Sequence, residues 1–293
     1  MKVWELIDLL EKNYELNGHA SLRNARYQWR HVLRLLGDSD SEKVRAGDIE
    51  TYKAKRVKEG AARGTVNNEL ALLLRSYNLA KQQELIYRSP PIQKFRVHNA
   101  RQGFVRPDVF WKIFATLQVL DEDVADAFMC SYLLGWRRGM VLGMTWSEVD
   151  VKAKRVQLPA QRCKNRKALT VTLEGETLKL FQRRDGKRNG EHVFHREGKP
   201  IRDFRGVWNR ARVAAKVPDL RFHDSRRAFC VNAFAAGWSV NHIMAVGGWS
   251  TNSMVLRYGI PDEERIREDL SRLSDYVKDG APKNGHTSHG RNP

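Results

Sequence analysis

The chain has 293 residues, enough for two cores of ordinary domain size, and its 52 Lys and Arg against 34 Asp and Glu give a formal charge of +18, an excess that points to a polyanionic partner. No uninterrupted apolar run approaches a membrane span, and the opening MKVWELIDLLEKNY carries acids where a signal peptide would be apolar, so an intracellular protein is expected. Cys130, Cys163 and Cys230 are scattered, odd in number and without a C-x-x-C pair, which argues against a disulfide framework and for small buried thiols in a reducing compartment.

The first third reads as helices. Val3, Leu6, Leu10 and Tyr14 recur at helical spacing; SLRNARYQWRHVLRLLGD follows, with Ser21 as its capping candidate, Leu22, Trp29, Val32, Leu33 and Leu36 as its stripe and Gly37 as its end. A third helix is expected over DIETYKAKRVKEG, and a fourth from about Thr65 with Leu70, Leu73, Leu74, Tyr77 and Leu85 in phase, stopped by Pro90–Pro91. These four make a small bundle over residues 1–89. A basic linker is expected over 90–106, and a second domain over 107–279 opens with helices after Pro107.

Within the second domain the pattern then alternates. KRVQLP and ALTVTL read as strands around the turn QRCKNRK, EHVFH reads as another short strand, and helices return to the end, giving a mainly α fold with a small antiparallel sheet, an α+β class. Residues 151–190 hold 12 Lys and Arg against 3 Asp and Glu, which marks the strand pair as a phosphate-facing surface. The last stretch, 280–293, is polar and expected to be disordered. Neither a G-x-x-x-x-G-K-[ST] loop nor a cluster of metal ligands is present, so neither an ATP nor a metal cofactor is expected.

Chemistry gathers around HDSRRAF, where His223 and Arg226 share one helix face. Downstream, GGWSTNSMVLRYG supplies Trp249 and Tyr258; upstream, GWRRGMVLGMTWSEVD offers Arg137 and the strand turn offers Lys164. A phosphodiester resists attack because its nonbridging oxygens carry charge, and two arginine forks answer that need. A tyrosine hydroxyl attacking phosphorus must lose its proton, for which His223 is the candidate base or phosphate donor. The departing 5′-oxygen needs a proton, and Lys164 is placed to give it. Trp249 offers an indole N–H to a phosphate oxygen and a surface for the Tyr258 segment.

The order Arg137, Lys164, His223, Arg226, Trp249, Tyr258 resembles the tyrosine recombinases of the phage integrase family, and the resemblance spans nearly the whole chain. It implies a core-binding (SAM-like) helical domain followed by the catalytic domain, and an enzyme that cuts and rejoins duplex DNA through a 3′-phosphotyrosine on Tyr258. It also implies a homotetramer on two duplexes that exchanges C-terminal segments. PDEERIREDLSRLSDYV fits that last role, with Pro261 and acids Asp262, Glu263 and Glu264 at its start and Ile266, Leu270, Leu273 and Val277 in one stripe.

Two departures stand out. The family's acidic residue three places after the first arginine is Met140 here, and the chain starts directly at the core-binding segment, as in the simpler recombinases or a shortened chain. A type IB-like DNA topoisomerase shares the nucleophile and cations, and a non-catalytic DNA-binding protein shares the charge; both are alternatives to a recombinase. In every case the expected location is cytoplasmic, on the nucleoid.

Overall fold

The computed structural model describes residues 1–97, 105–163, 167–258 and 263–279. It divides into two compact units, Met1–Arg101 and Gln102–Pro293. Lys164, Pro261, Asp262 and the stretch 280–293 lie outside the described residues.

The first unit is built from α1 (Val3–Leu16), α2 (Leu22–Leu36), α3 (Ala46–Lys58) and α4 (Arg63–Gln82). Val3, Leu6, Ile7, Leu10 and Tyr14 of α1 pack with Ala25, Trp29, Val32 and Leu36 of α2 and with Val66, Leu70, Leu73, Tyr77 and Ala80 of α4, one apolar face per helix. Polar residues enter this core where α3 meets α4. The carboxylate of Glu69 is fully buried and accepts from the Tyr52 hydroxyl at 2.7 Å and from Nη2 and Nε of Arg56 at 2.7 and 3.0 Å. Arg56 also reaches Glu59, which pairs with Arg34 at 2.7 Å, so three helices share one charge network.

Several edges of this unit differ from the sequence reading. Ser21 precedes α2 but its side chain makes no capping bond, and Leu33 is exposed. Helix α4 ends at Gln82, before the proline pair, because Glu84 turns left-handed at φ 58°. Leu85 N–H then bonds to Ala80 O and Glu84 N–H to Lys81 O, closing a Schellman-type end. Leu85 falls beyond the helix and is exposed, and Ile86 is buried instead. The segment after Ser89 is tied to this unit: the Asn67 amide donates to Phe95 O and accepts from Phe95 N–H, and Lys53 Nζ sits 4.6 Å from the Phe95 ring centroid.

The second unit opens with α5 (Pro107–Leu120), α6 (Glu122–Leu134) and α7 (Arg138–Leu142). Helix α6 is buried on nearly every side, as its run of apolar and small residues requires. Strands β1 (Val149–Asp150), β2 (Arg155–Leu158) and β3 (Leu169–Thr172) form an antiparallel sheet in that order, with Val156 opposite Val171 and Leu158 opposite Leu169. Then come α8 (Gly175–Asp185), a hairpin of β4 (His195–Arg196) and β5 (Lys199–Pro200), α9 (Arg205–Ala214), α10 (Asp224–Ala235), α11 (Val240–Gly247), α12 (Asn252–Leu256) and α13 (Glu263–Asp279). The stretch EHVFH is not one strand: His192 bridges to Thr145 and pairing resumes only at His195, because Val193 and Phe194 are both fully buried and the alternation is broken.

Phe128 of α6 meets Trp208 of α9 and Phe222 before α10, while Phe110 of α5 stacks on Tyr132 at 3.9 Å. A second buried arginine, Arg184 of α8, is matched by Asp123 and Asp126 of α6 at 2.5 and 3.6 Å. The three cysteines are buried and unpaired. Among the described residues no helix is long and apolar enough to cross a membrane.

Candidate active site

Two helix ends and one short loop bring Arg137, His223, Arg226, Trp249 and Tyr258 together. Helix α6 stops at Gly135, whose φ of 66° is left-handed and whose absent side chain leaves room for Phe229: a Cβ there would lie 2.5 Å from a Phe229 ring carbon. Arg137 follows as the cap of α7 and is half-buried. His223 is the cap of α10, and Arg226 lies in its first turn, 4% exposed. Helix α11 ends at left-handed Gly248, and Trp249 turns back beneath α10.

Arg226 is the centre of this arrangement. Its Nη1 donates to Gly135 O at 2.5 Å and Gly247 O at 2.7 Å, so one guanidinium joins the end of α6 to the end of α11. Its Cζ lies 3.6 Å from the centroid of Trp249, which stacks in parallel on Phe229. The Trp136 indole donates to Val246 O at 2.8 Å, a second tie to α11. Behind it, Ser131 and Ser225 place their hydroxyl oxygens 2.6 Å apart, with Trp136 O and Phe222 O at the two ends. Two hydroxyl protons serve three contacts, so at any instant the chain of bonds runs one way.

The electrostatics are one-sided. Among the described residues neither Arg137 nor Arg226 forms an ion pair with a carboxylate, and Nη2 of Arg226 is buried with no hydrogen-bond partner. Burial, then Arg137, push the Arg226 guanidinium down to about 9, still charged at neutral pH but short of a counter-charge. His223 keeps a solvent-exposed face, yet partial loss of solvent around its ring, then Arg226, push its pKa below the ordinary histidine value, with Asp224 opposing. The neutral imidazole is thereby favoured, the form that accepts a proton. A pocket of about 150 Å³ opens between Arg137, Met140, Cys163, Lys167, Leu169, Met244 and Trp249.

Tyr258 lies two residues past α12, half-buried, its ring packed on the cluster of Phe229, Ile243, Trp249 and Val255. Arg137, His223, Arg226, Trp249 and Tyr258 therefore share one region of the second unit, while Lys164 lies outside the described residues. Met140 is buried in the pocket wall. Behind it, Arg162 donates to Met140 O at 2.9 Å and to Gly143 O, and meets Glu148 at 3.3 Å, fixing α7 to the approach to the hairpin turn. The serine pair, Arg162, Lys167 and Arg227 had no motif of their own to mark them.

A model described as the phage integrase family matches residues 104–265, more than half of the chain. The integrase of Salmonella phage P22 is 20% identical over 222 residues, covering 71% of this chain and 57% of that protein. The shufflon-specific DNA recombinase of Escherichia coli is 24% identical over 228 residues, covering 74% of this chain and 58% of that protein. The chain thus spans little more than half the length of these curated relatives. Among solved structures it is similar to the Tn1549 transposon integrase in complex with transposon right end DNA, with a TM-score of 0.76 at 17% identity over 94% of this chain and 100% of that one. It is also similar to a lambda integrase tetramer bound to a Holliday junction, at 0.71 and 17% over 90% of this chain and 80% of that one. At such identities the likeness is one of fold.

Proposed function

The chain belongs to the phage integrase family, and on that premise we propose that it is a site-specific DNA recombinase that breaks and rejoins duplex DNA through Tyr258. The observation that carries this reading is the pair Arg137 and Arg226, gathered beside Tyr258 with no carboxylate among the described residues to neutralise them. A buried guanidinium with an unmet donor is stabilised by an arriving phosphate, and more so as charge grows on the nonbridging oxygens during attack.

In this reading the Tyr258 oxygen forms a bond to phosphorus and gives up its proton to neutral His223. The bond to the 5′-oxygen breaks, and that oxygen leaves as a hydroxyl with a proton supplied by Lys164. The phosphodiester energy is kept in the 3′-phosphotyrosine, and a second 5′-hydroxyl reverses the steps. Trp249 serves beside them: its ring face supports the Arg226 guanidinium and lies in the cluster on which Tyr258 packs, and its indole N–H is the donor proposed for a phosphate oxygen.

The test is a nicked suicide duplex carrying the recombination site. Wild type is expected to become joined to the DNA, and Tyr258→Phe to bind with similar affinity and form no covalent species. An adduct that survives denaturant in the Tyr258→Phe protein would overturn the assignment.

The same reading extends to assembly. Ile266, Leu270, Leu273 and Val277 of α13 are all exposed, and such a stripe is stabilised by a groove on another protomer. We place α13 in trans within a DNA-bound tetramer. Removal of residues 262–293 is expected to leave single half-site binding intact and to abolish cooperative filling of paired half-sites in gel-shift titrations; unchanged cooperativity would reject the exchange.

A further inference from the structure

We propose that Arg227 is a positioning residue for Tyr258, holding the phenol by its ring face so that the oxygen stays directed at the scissile phosphate; this rests on Tyr258 being the nucleophile. Consecutive residues on a helix point about 100° apart, so Arg226 and Arg227 leave α10 in different directions. Each meets a ring of the closing segment. Arg226 Cζ lies 3.6 Å from the Trp249 centroid, and Arg227 Cζ lies 5.5 Å from the Tyr258 centroid, within the range of a cation–π contact.

Tyr258 needs such a hold. It follows the end of α12 at Leu256, beyond the regular helical bonds, with its own N–H bonded to Val255 O at 2.9 Å. Its side chain packs against the apolar cluster of Phe229, Ile243 and Val255, a non-directional contact that does not by itself set the ring's rotation about its side-chain bonds. Arg227 addresses that rotation. Its side chain is half-buried, and its Nε is buried with no acceptor among the described residues, so protein hydrogen bonding does not account for that part of the group. The group that the guanidinium does meet is the electron-rich face of Tyr258. A fixed guanidinium there also favours the negative charge that gathers on the phenol as attack proceeds. Arg226 cannot substitute, because its Nη1 is committed to two carbonyls and its plane to Trp249.

The experiment compares the full chain with Arg227→Lys, Arg227→Met and Arg227→Gln in single-turnover cleavage of the suicide duplex, with half-site affinity measured over a series of salt concentrations. Lys keeps a cation over the ring, Met keeps the apolar bulk, and Gln is a second neutral side chain in case Met perturbs folding. Arg227→Lys is expected to cleave within about threefold of wild type, and the two neutral variants to cleave about tenfold or more slower. All three should bind with an unchanged dependence on salt. Equal rates for Lys and the neutral variants, whether fast or slow, would overturn the proposal, since a cation would not be what matters. A salt slope reduced by about one would also overturn it, because Arg227 would then be touching a phosphate. Failure of the nucleophile assignment reads separately: it appears as a covalent adduct with Tyr258→Phe, however the Arg227 variants rank.

Discussion

Arg56 in the first unit and Arg226 in the second are both buried arginines, and the protein gives them opposite partners. Arg56 is neutralised twice over, by buried Glu69 and by Glu59, and its charged form is favoured, first by the hydrogen bond to Glu69. Arg226 receives two carbonyls and an indole face, no carboxylate among the described residues, and a second arginine nearby that pushes against its charge. A buried charge whose counter-charge comes from the chain belongs to the fold. One whose counter-charge is left to come from outside belongs to a site.

The sharpest break in this comparison is to remove each charge in turn. Arg226→Met is expected to slow cleavage of the suicide duplex by about 10²–10³-fold, the cost of losing one fixed donor to a developing anion. Its stability should change by less than about 1 kcal/mol, because relief of an uncompensated charge offsets the two lost carbonyl bonds. Arg56→Met is expected to do the reverse. It leaves the Glu69 carboxylate buried with the Tyr52 hydroxyl but without a counter-charge, at a cost of about 3 kcal/mol or more in urea unfolding, while folded protein retains the cleavage rate. If Arg226→Met unfolds as readily as Arg56→Met, the two arginines are equally structural.

A smaller effect sharpens the same contrast by pH. His223 is pushed below the ordinary value of about 6.5, first by lost solvent and then by Arg226. If it accepts the Tyr258 proton, cleavage is flat through neutrality and falls as pH drops below that ordinary value, by up to about tenfold per unit. His223→Ala should be slow throughout and lose that acid limb. A rate that rises as pH falls would make His223 a protonated phosphate donor instead.

Much of the second unit's chemistry was legible because it rests on residue types that little else explains in that order. Arg137, His223, Arg226, Trp249 and Tyr258 each stand in a recognisable stretch, and the fold brings them into one region. What was not legible is what joins them. Ser131 and Ser225 are common residues far apart in the chain, and their hydroxyl pair exists only once α6 crosses α10. Arg227 follows Arg226 directly in HDSRRAF, and only helix phase separates their targets. In the first unit the helical stripes predicted the apolar core, but not the Tyr52–Glu69–Arg56 network, since periodicity marks faces and does not say which acid will be buried with which base. The end of α4 was hidden for a different reason: its left-handed turn falls on Glu84, where glycine would have announced it.

The contact between Gly247 and Trp249 has a consequence for the order in which mutations can accumulate. A Cβ at position 247 would sit 1.7 Å from Cζ3 of the Trp249 ring, an overlap no rotamer change at alanine relieves. The dependence runs in one direction only. With a smaller ring at 249 the space above 247 opens and a side chain there is tolerable, whereas with tryptophan at 249 only glycine fits. A side chain at 247 is therefore expected to be accepted only in a protein that already carries a smaller ring at 249, so the order in which the two substitutions are made decides whether the intermediate folds.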